Sequence, residues 1–251
     1  MMDTYGLIGF PLKHSFSAIF FTEKFKKENI DAEYLNVEIE DIQQIREVIL
    51  THVHLKGLNV TIPYKEQIIP YLDELSPEAK KIGAVNVIKI DRNPNDKHTY
   101  YLKGYNTDYV GFKKSIGPLI KSDIHKKALV LGTGGASKAV VQALIDLGID
   151  WKYVSRTAGE NKFTYNELTP EIINNYQIII NTSPVGTFPK VNECPDIPYQ
   201  YLTRNHLLYD LVYNPAETVF LKKGKEKGAT VKNGEEMLHL QAEEAWKIWT
   251  A

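Results

Sequence analysis

The chain has 251 residues, of which 43% are hydrophobic and 24% charged, and its formal net charge at pH 7 is −1. This length allows one large domain or two smaller ones, and the balanced charge gives no reason to expect binding to nucleic acid or to an anionic membrane surface. The single cysteine, Cys194, excludes an internal disulfide and is consistent with a reducing compartment, while no Cys/His cluster has metal-ligand spacing.

The apolar stretch 5–12 near the N-terminus is interrupted by glycine and proline and follows no basic leader, so we do not interpret it as a signal peptide. No segment approaches the ~20 consecutive apolar residues that cross a membrane. We therefore expect a soluble, cytoplasmic protein that contains no metal.

Strands and helices alternate along the first hundred residues. Apolar or alternating runs predict strands over 4–9, 32–38, 55–62, 84–90 and 99–102, with a polar turn over 91–98. Helical spacing and capping signals predict helices over 18–29, 41–50 and 65–72, and another that begins at Ser76-Pro77. This part of the chain is predicted to form an α/β unit of its own.

The alternation continues to the C-terminus. Strands are predicted over 128–131, 151–155, 177–180, 207–212 and 230–231. Helices are predicted over 108–120, from the glycine-rich turn to 147, from Thr169-Pro170, over 218–227 and over 235–249. Such alternation is typical of parallel sheets joined by right-handed crossovers, so we predict an α/β protein of two α/β domains.

A glycine-rich turn follows the buried strand 128–131 and opens a helix. Free backbone N–H groups and the helix dipole at such a position favour a diphosphate. Gly132 would permit the turn, Gly134 would let a cofactor approach the backbone, and Gly135 and Ala136 would allow close strand–helix contact. Ser137 stands where the usual fingerprint has its third glycine, so a strand–turn–helix without a ligand remains an alternative.

The next strand ends in Ser155-Arg156-Thr157, with no acid where an NAD-binding unit has one for the ribose 2′-hydroxyl. A cation suits a 2′-phosphate, so the sequence favours NADP over NAD. A solvated surface arginine is the alternative.

Three groups of polar residues lie near ends of predicted strands, where open α/β sheets bind ligands. In His14-Ser15-Phe16-Ser17, two hydroxyls could donate to a carboxylate, or one serine could simply cap a helix. In Asn59-Val60-Thr61, alternation puts Asn59 and Thr61 on one strand face, and the following Lys65 is a candidate proton donor or a solvated lysine.

The third group is scattered. Asn86 is a polar residue in an apolar strand and needs a partner if it is buried. Asp108 opens a helix and could be an N-cap, and Gln241 could be an edge residue of the last helix.

Taken together, these motifs resemble the shikimate dehydrogenases nearly from end to end. The motifs that carry the resemblance are HSFS (14–17), NVTIPYK (59–65), GAVN (83–86), GYNTD (104–108), the glycine-rich turn, SRT (155–157), NTSPVG (181–186), YDLVYNP (209–215), and Asn233-Gly234 with Gln241.

The resemblance implies NADP-dependent, reversible reduction of 3-dehydroshikimate to shikimate, in aromatic amino-acid biosynthesis. It implies a substrate domain of residues 1–105 with 234–251, a Rossmann-like NADP domain of residues 106–233, and a cleft between them. Lys65 would be the acid–base residue, paired with Asp108. The substrate would be bound by Ser15, Ser17, Thr61, Asn86, Asp108, Tyr213 and Gln241. The cofactor would be bound by Gly132, Thr133, Gly134, Gly135, Ala136, Ser155, Arg156, Thr157, Leu211 and Gly234.

The chain departs from the family pattern at three places. After Ser17 the usual proline and His-Asn are replaced by residues 18–22, Ser155 stands for the usual asparagine, and Gly234-Glu235-Glu236-Met237 replaces Gly-Leu-Gly-Met. None of these changes removes a predicted catalytic residue, but they affect the predicted carboxylate and nicotinamide contacts.

Two other functions remain open: a quinate/shikimate dehydrogenase that uses NAD, and a nucleotide-sensing protein without turnover. Arg156 argues against the first, and the presence of both Lys65 and Asp108 argues against the second. The sequence is compatible with a monomer or a homodimer.

Overall fold

The computed structural model describes residues 2–12 and 15–251. Contacts divide the chain into two α/β units, one of Met1–Thr107 with Ala242–Ala251 and one of Asp108–Gln241. The two α/β domains predicted from the sequence are therefore present. The part of the chain that the structure describes contains no helix long and apolar enough to cross a membrane.

The first unit contains one six-stranded sheet with the order β2-β1-β3-β5-β6-β4. Its strands are β1 Asp3–Gly9, β2 Ala32–Glu38, β3 Leu55–Val60, β4 Glu74–Leu75, β5 Val87–Asn93 and β6 Asp96–Tyr105. Its helices are α1 Phe16–Glu28, α2 Ile45–Thr51 and α3 Pro77–Ile82. Ser76 caps α3 through its hydroxyl, as its position before Pro77 predicts.

The first sheet is mixed, so the prediction of parallel sheets is wrong here. β3 pairs with β5, and β5 with β6, in antiparallel fashion. The predicted polar turn 91–98 is instead mostly strand, because β5 and β6 form a hairpin in which Asn93 pairs with Asp96. Parallel neighbours need a crossover of about a dozen residues, and this connection is far too short for one.

The helix predicted over 65–72 does not form. Residues 62–68 run through successive turns and a 3₁₀ turn follows at Ile69–Tyr71. The Lys65 carbonyl accepts a hydrogen bond from the Val85 N–H (2.7 Å) instead of from an amide one turn further on. Pro70 has no N–H to donate to Glu66, so a continuous helix would also lack that bond.

The second unit contains a six-stranded, wholly parallel sheet with the order β12-β11-β10-β7-β8-β9. Its strands are β7 Lys127–Leu131, β8 Asp150–Ser155, β9 Lys162–Thr164, β10 Ile178–Asn181, β11 Leu207–Asp210 and β12 Thr230–Lys232. Its helices are α5 Gly135–Asp146, α6 Pro170–Asn175 and α7 Val219–Glu226. The sequence did not predict β9, whose three residues lie in a polar stretch.

Two further helices include the points at which the contacts divide the chain, α4 Thr107–Ile116 and α8 Glu235–Thr250. Trp249 near the end of α8 packs in the first unit, where its indole N–H donates to the Ile88 carbonyl (3.0 Å). The last turns of α8 thus complete the core of the first unit.

The second sheet is buried on both faces, as a parallel sheet requires. Along β7, Ala128 and Val130 belong to one core cluster while Leu129 and Leu131 belong to the other. This is why the strand reads as an unbroken apolar run rather than an alternating one.

A buried histidine, His125, precedes β7. Its Nδ1 accepts the Lys121 N–H (3.0 Å) and its Nε2–H donates to the Asn205 carbonyl (3.1 Å), which fixes the neutral ring. Burial lowers the pKa of His125 from its ordinary value, against the opposing effect of the bond to Asn205.

Candidate active site

The glycine-rich turn lies at the point where the order of the second sheet reverses. In chain order the strands β7 to β12 lie as 3-2-1-4-5-6, and β7 and β10 are the central pair. Open α/β sheets of this order bind dinucleotides in the crevice at that reversal. Gly132 has φ +104°, which side chains rarely adopt, so the turn requires glycine there as predicted.

Gly134 has a different reason to be glycine. It is the N-cap of α5, with φ −77° and ψ 178° that other residues also adopt. Apart from the adjacent residues of the chain, a Cβ at this position would have no atom of the described residues within 4 Å. The protein itself therefore leaves space above the first turn of α5, where Gly135 and Ala136 are half-buried and Thr133 beside them is exposed.

Ser137 explains the missing third glycine of the fingerprint. Its side chain is fully buried and its hydroxyl donates to the Gly134 carbonyl at 2.6 Å. A small hydroxyl thus fits between strand and helix and also fixes the start of α5.

The end of β8 presents a cation. The Ser155 hydroxyl donates to the Thr157 carbonyl (2.6 Å) and accepts the Thr157 N–H, which closes a tight turn with exposed Arg156 at its centre. Burial raises the pKa of the nearby Tyr165, and the Arg156 charge opposes that effect.

Leu211 and Gly234, both predicted beside the nicotinamide, lie against each other. A Cβ on Gly234 would overlap the Leu211 carbonyl oxygen, so only glycine permits this approach. The Gly234 N–H donates to the Val212 carbonyl (3.2 Å), and Tyr213 follows with 39% of its surface exposed.

These features fit a dinucleotide. The first-turn N–H groups of the 12-residue helix α5 suit a diphosphate, the open space at Gly134 admits it, and a cation without a neighbouring acid at 155–157 suits a 2′-phosphate. The second unit therefore has the strand order and turn of a Rossmann-type domain, which places the chain in the class of dinucleotide-binding proteins.

In the first unit, three predicted residues lie near one another where β3 ends and β5 begins. Thr61 follows β3, and Asn86 precedes β5, which runs in the opposite direction beside β3. The Val60 N–H donates to the Asn86 carbonyl (2.8 Å), and the Val85 N–H donates to the Lys65 carbonyl. These two hydrogen bonds thus bring the backbone of Thr61, Lys65 and Asn86 together at this end of the strands.

Asn86 is 4% exposed and has the partner that its burial demands. Its Oδ1 accepts the Thr107 N–H (2.7 Å) and its Nδ2 donates to the Thr107 hydroxyl (3.1 Å). Asn86 thereby holds the start of α4, whose second residue is Asp108. Asp108 is also 4% exposed.

The two predicted serines have different local roles. Ser15 is the N-cap of α1, and its Oγ accepts the Ala18 N–H at 3.0 Å. Ser17 hydrogen-bonds to the Tyr34 hydroxyl. Because Tyr34 donates to Asn59 Oδ1 (2.7 Å), the Ser17 hydroxyl is the donor to Tyr34. His14 of the same motif lies outside the described residues.

Gln241 lies on α8 in the second unit. The side chain begins close to Gly111 of α4, where a Cβ would be 3.2 Å from the Gln241 Cβ and 2.6 Å from the Met237 carbonyl oxygen. This close crossing of α4 and α8 sets the position from which Gln241 extends.

Asp210 lies in the motif YDLVYNP (209–215) but was not among the predicted site residues. The carboxylate is fully buried and accepts hydrogen bonds from Asn181, Val212 and Thr218. The available signal was an aspartate at the end of an apolar strand of a parallel sheet. Among the described residues, no group of His, Cys, Asp and Glu could hold a metal ion.

Comparison with known proteins agrees with this description. A family model described as the shikimate dehydrogenase substrate binding domain matches residues 7–88. The chain is 39% identical to the shikimate dehydrogenase (NADP(+)) of Carboxydothermus hydrogenoformans, over 98% of this chain and 90% of that protein.

Solved structures give the same result. The crystal structure of shikimate dehydrogenase from Aquifex aeolicus has a TM-score of 0.85 at 37% identity and covers 99% of this chain and 92% of that one. Shikimate 5-dehydrogenase from Thermus thermophilus, in complex with NADP(H) and shikimate, has a TM-score of 0.82 at 28% identity, with coverages of 99% and 94%. The chain belongs to the shikimate dehydrogenase family.

Proposed function

We propose that this protein is an NADP-dependent dehydrogenase that reversibly reduces 3-dehydroshikimate to shikimate in the biosynthesis of chorismate and the aromatic amino acids. One observation in the second unit carries the proposal for this family member: the Rossmann strand order, the positive φ of Gly132 and the open space at Gly134 occur together. The cation at Arg156 supports NADP rather than NAD.

In this proposal the cofactor is held by the second unit. The turn from Gly132 to Ala136 binds the diphosphate through the N–H groups that follow Gly132, because the Gly132 N–H itself donates to the Val154 carbonyl (2.9 Å). Ser155, Arg156 and Thr157 surround the 2′-phosphate. Arginine suits this role because its planar guanidinium forms paired hydrogen bonds with phosphate oxygens. The adjoining backbone of Leu211 and Gly234, which we call the Leu211 surface, lies beside the nicotinamide, and the close approach of the two residues supports this assignment.

We assign the substrate carboxylate to Ser15 and Ser17, with Tyr213, and the ring oxygens to Thr61, Asn86, Asp108 and Gln241. Ser15 is the better-prepared donor of the two serines, because its oxygen is the N-cap acceptor while its O–H remains a donor. Ser17 already donates to Tyr34, so binding of a carboxylate by Ser17 requires its hydroxyl to rotate.

We assign proton transfer to Lys65, with Asp108 acting as its partner. NADPH supplies a hydride for the ketone carbon when it is bound. The Lys65 ammonium stabilises negative charge at the ketone oxygen and gives that oxygen its proton, and in the reverse direction the neutral amine removes it. The anchoring of Lys65 through its carbonyl to Val85 supports this role, because it fixes the backbone from which the side chain extends.

The test is a set of initial rates with shikimate and quinate, each against NADP⁺ and NAD⁺. We expect the highest kcat/KM for the pair of shikimate and NADP⁺. Higher kcat/KM for quinate with NAD⁺ would favour the quinate/shikimate dehydrogenase. Saturable NADPH binding without turnover of either acid would instead indicate a nucleotide-sensing protein. The cytoplasmic location and the monomeric or homodimeric state stay predictions.

A further inference from the structure

A single carboxylate, that of Asp210, hydrogen-bonds to three separate segments at the carboxyl ends of the strands of the second sheet. Its Oδ1 accepts the Asn181 side-chain N–H (2.9 Å) and the Val212 backbone N–H (3.0 Å). Its Oδ2 accepts the Thr218 hydroxyl at 2.6 Å. The partners are the last residue of β10, the loop after β11 and the N-cap of α7, so one side chain connects all three.

One branch of this network leads to the glycine-rich turn. Asn181 Oδ1 accepts both the backbone N–H (3.1 Å) and the hydroxyl (2.6 Å) of Ser183. Ser183 and Thr182 pack against Gly132, where a Cβ would be 3.1 Å from Thr182 Oγ1 and 3.4 Å from the Ser183 N and Cβ. Displacement of Thr182 and Ser183 would therefore change the packing beneath the glycine-rich turn.

The other branch leads to the Leu211 surface. The bond from Val212 to Asp210 fixes the peptide that follows Leu211, and the Val212 carbonyl accepts the Gly234 N–H (3.2 Å). Gly234 lies so close to Leu211 that a Cβ on it would overlap the Leu211 carbonyl. Even a small shift of Leu211 therefore changes the contact between these two residues.

A buried aspartate costs stability, which makes it a poor choice for a purely structural role. The carboxylate is fully buried, and its desolvation raises its pKa to about 6 despite three hydrogen bonds that favour the charged form. Well-packed apolar side chains often stabilise a core as much as or more than buried charged groups. A carboxylate here is best explained by the geometry that its two oxygens impose on separate loops.

We propose that Asp210 is a positioning residue for the dinucleotide, holding the loops after β10 and β11 in the geometry that the glycine-rich turn and the Leu211 surface require. The inference rests on the proposed function, because it assumes that this edge of the second unit binds NADPH. Asp210 acts through Asn181, Val212 and Thr218 and is assigned no contact with the cofactor.

The test measures the NADPH dissociation constant by isothermal titration calorimetry for Asp210→Ala, Asp210→Asn and Thr218→Val, beside thermal unfolding. Thr169→Val is the matched control: Thr169 caps α6 through its hydroxyl as Thr218 caps α7, but Thr169 has no bond to Asp210. Titrations are made where circular dichroism shows each variant folded.

We expect Asp210→Ala and Thr218→Val to raise the dissociation constant about ten-fold, the value of one hydrogen bond to a charged group. Asp210→Asn keeps an oxygen for Asn181 and Val212, and its amide can donate to the Thr218 hydroxyl, so we expect a change within about three-fold. Thr169→Val should lower the unfolding temperature without changing NADPH binding.

An unchanged dissociation constant in Thr218→Val and Asp210→Ala, with only reduced thermal stability, would overturn the proposal. So would a loss in Asp210→Asn equal to that in Asp210→Ala, because charge and not hydrogen-bond geometry would then be responsible. If Asp210→Ala does not fold, Thr218→Val and Asp210→Asn decide by the same criteria. Absence of NADPH binding by the wild-type protein would instead refute the proposed function.

Discussion

Gly134→Ala separates the requirements of the fold from those of the cofactor. Apart from the adjacent residues of the chain, the added methyl group has no described protein atom within 4 Å, and the backbone angles of Gly134 are accessible to alanine. Gly117 provides a matched control, because a Cβ there also has open space among the described residues, and it lies in a 3₁₀ turn that we assign no role in binding.

The expected effect on stability is small and the expected effect on binding is large. Alanine is a poorer N-cap than glycine, but it also reduces the entropy of the unfolded chain. These terms oppose each other, so the unfolding free energy should change by less than about 1 kcal/mol. A methyl group in the space for the diphosphate displaces at least one charge-assisted hydrogen bond. Such a bond contributes about 1.5–3 kcal/mol, which corresponds to a rise of roughly 10- to 150-fold in the NADPH dissociation constant.

The assay combines urea unfolding with NADPH titration for the wild type, Gly134→Ala and Gly117→Ala. Gly117→Ala should leave NADPH affinity unchanged. If Gly134→Ala binds NADPH as tightly as the wild type, the diphosphate does not lie over this residue and the reasoning from the open space is wrong.

Three further predictions concern chemistry, cofactor choice and pH. Lys65→Ala should lower kcat by ~10²–10⁴-fold, the value of a positioned acid–base group, with a much smaller change in the shikimate KM; a raised KM with unchanged kcat would make Lys65 a binding residue. Arg156→Ala should raise the KM for NADPH but hardly that for NADH, and equal effects on both would contradict the 2′-phosphate assignment. Burial lowers the pKa of His125, so unfolding takes up a proton at mildly acid pH. His125 therefore stabilises the fold fully above its ordinary pKa of 6.5, and progressively less as the pH falls below that value. Urea midpoints between pH 8 and 5 (roughly the range in which histidine titrates) should therefore fall less steeply for His125→Asn than for the wild type, and equal slopes would refute this. Asp210 has the opposite sign: its raised pKa of about 6 makes its contribution to stability decrease as the pH rises from 3.8 to 6. Both proteins contain Asp210, so the comparison cancels it.

The dinucleotide-binding unit could be predicted from the sequence because its signals are local. An apolar run, closely spaced glycines and a helical pattern occupy consecutive residues, and the structure confirms the strand, the turn at Gly132 and the helix. The capping signals at Asp41 and at Ser76-Pro77 are equally local and are also confirmed.

The features that the sequence did not predict depend on distant partners. The segment after Lys65 has helical spacing, yet Val85, twenty positions away, binds the carbonyl that a helix would need. The Asp210 network draws on Asn181 and Thr218, which approach one another only when β10 and β11 pair. Ser17 lies on α1 and Tyr34 on β2, so the bond between their hydroxyls could not be predicted from the residues around Ser17.

The reversed direction of β5 has a consequence for how this family member can vary. Because Thr61 follows β3 where Asn86 leads into β5, the chain between them begins and ends at neighbouring backbone, although it also contributes β4 to the far side of the same sheet. The entropy of closing such a segment grows only logarithmically, by about 0.6 kcal/mol for each doubling of its length. Insertions or deletions at exposed positions near α3, outside β4 and Lys65, can therefore accumulate without moving Thr61 or Asn86, because the pairing of β3 with β5 fixes both positions.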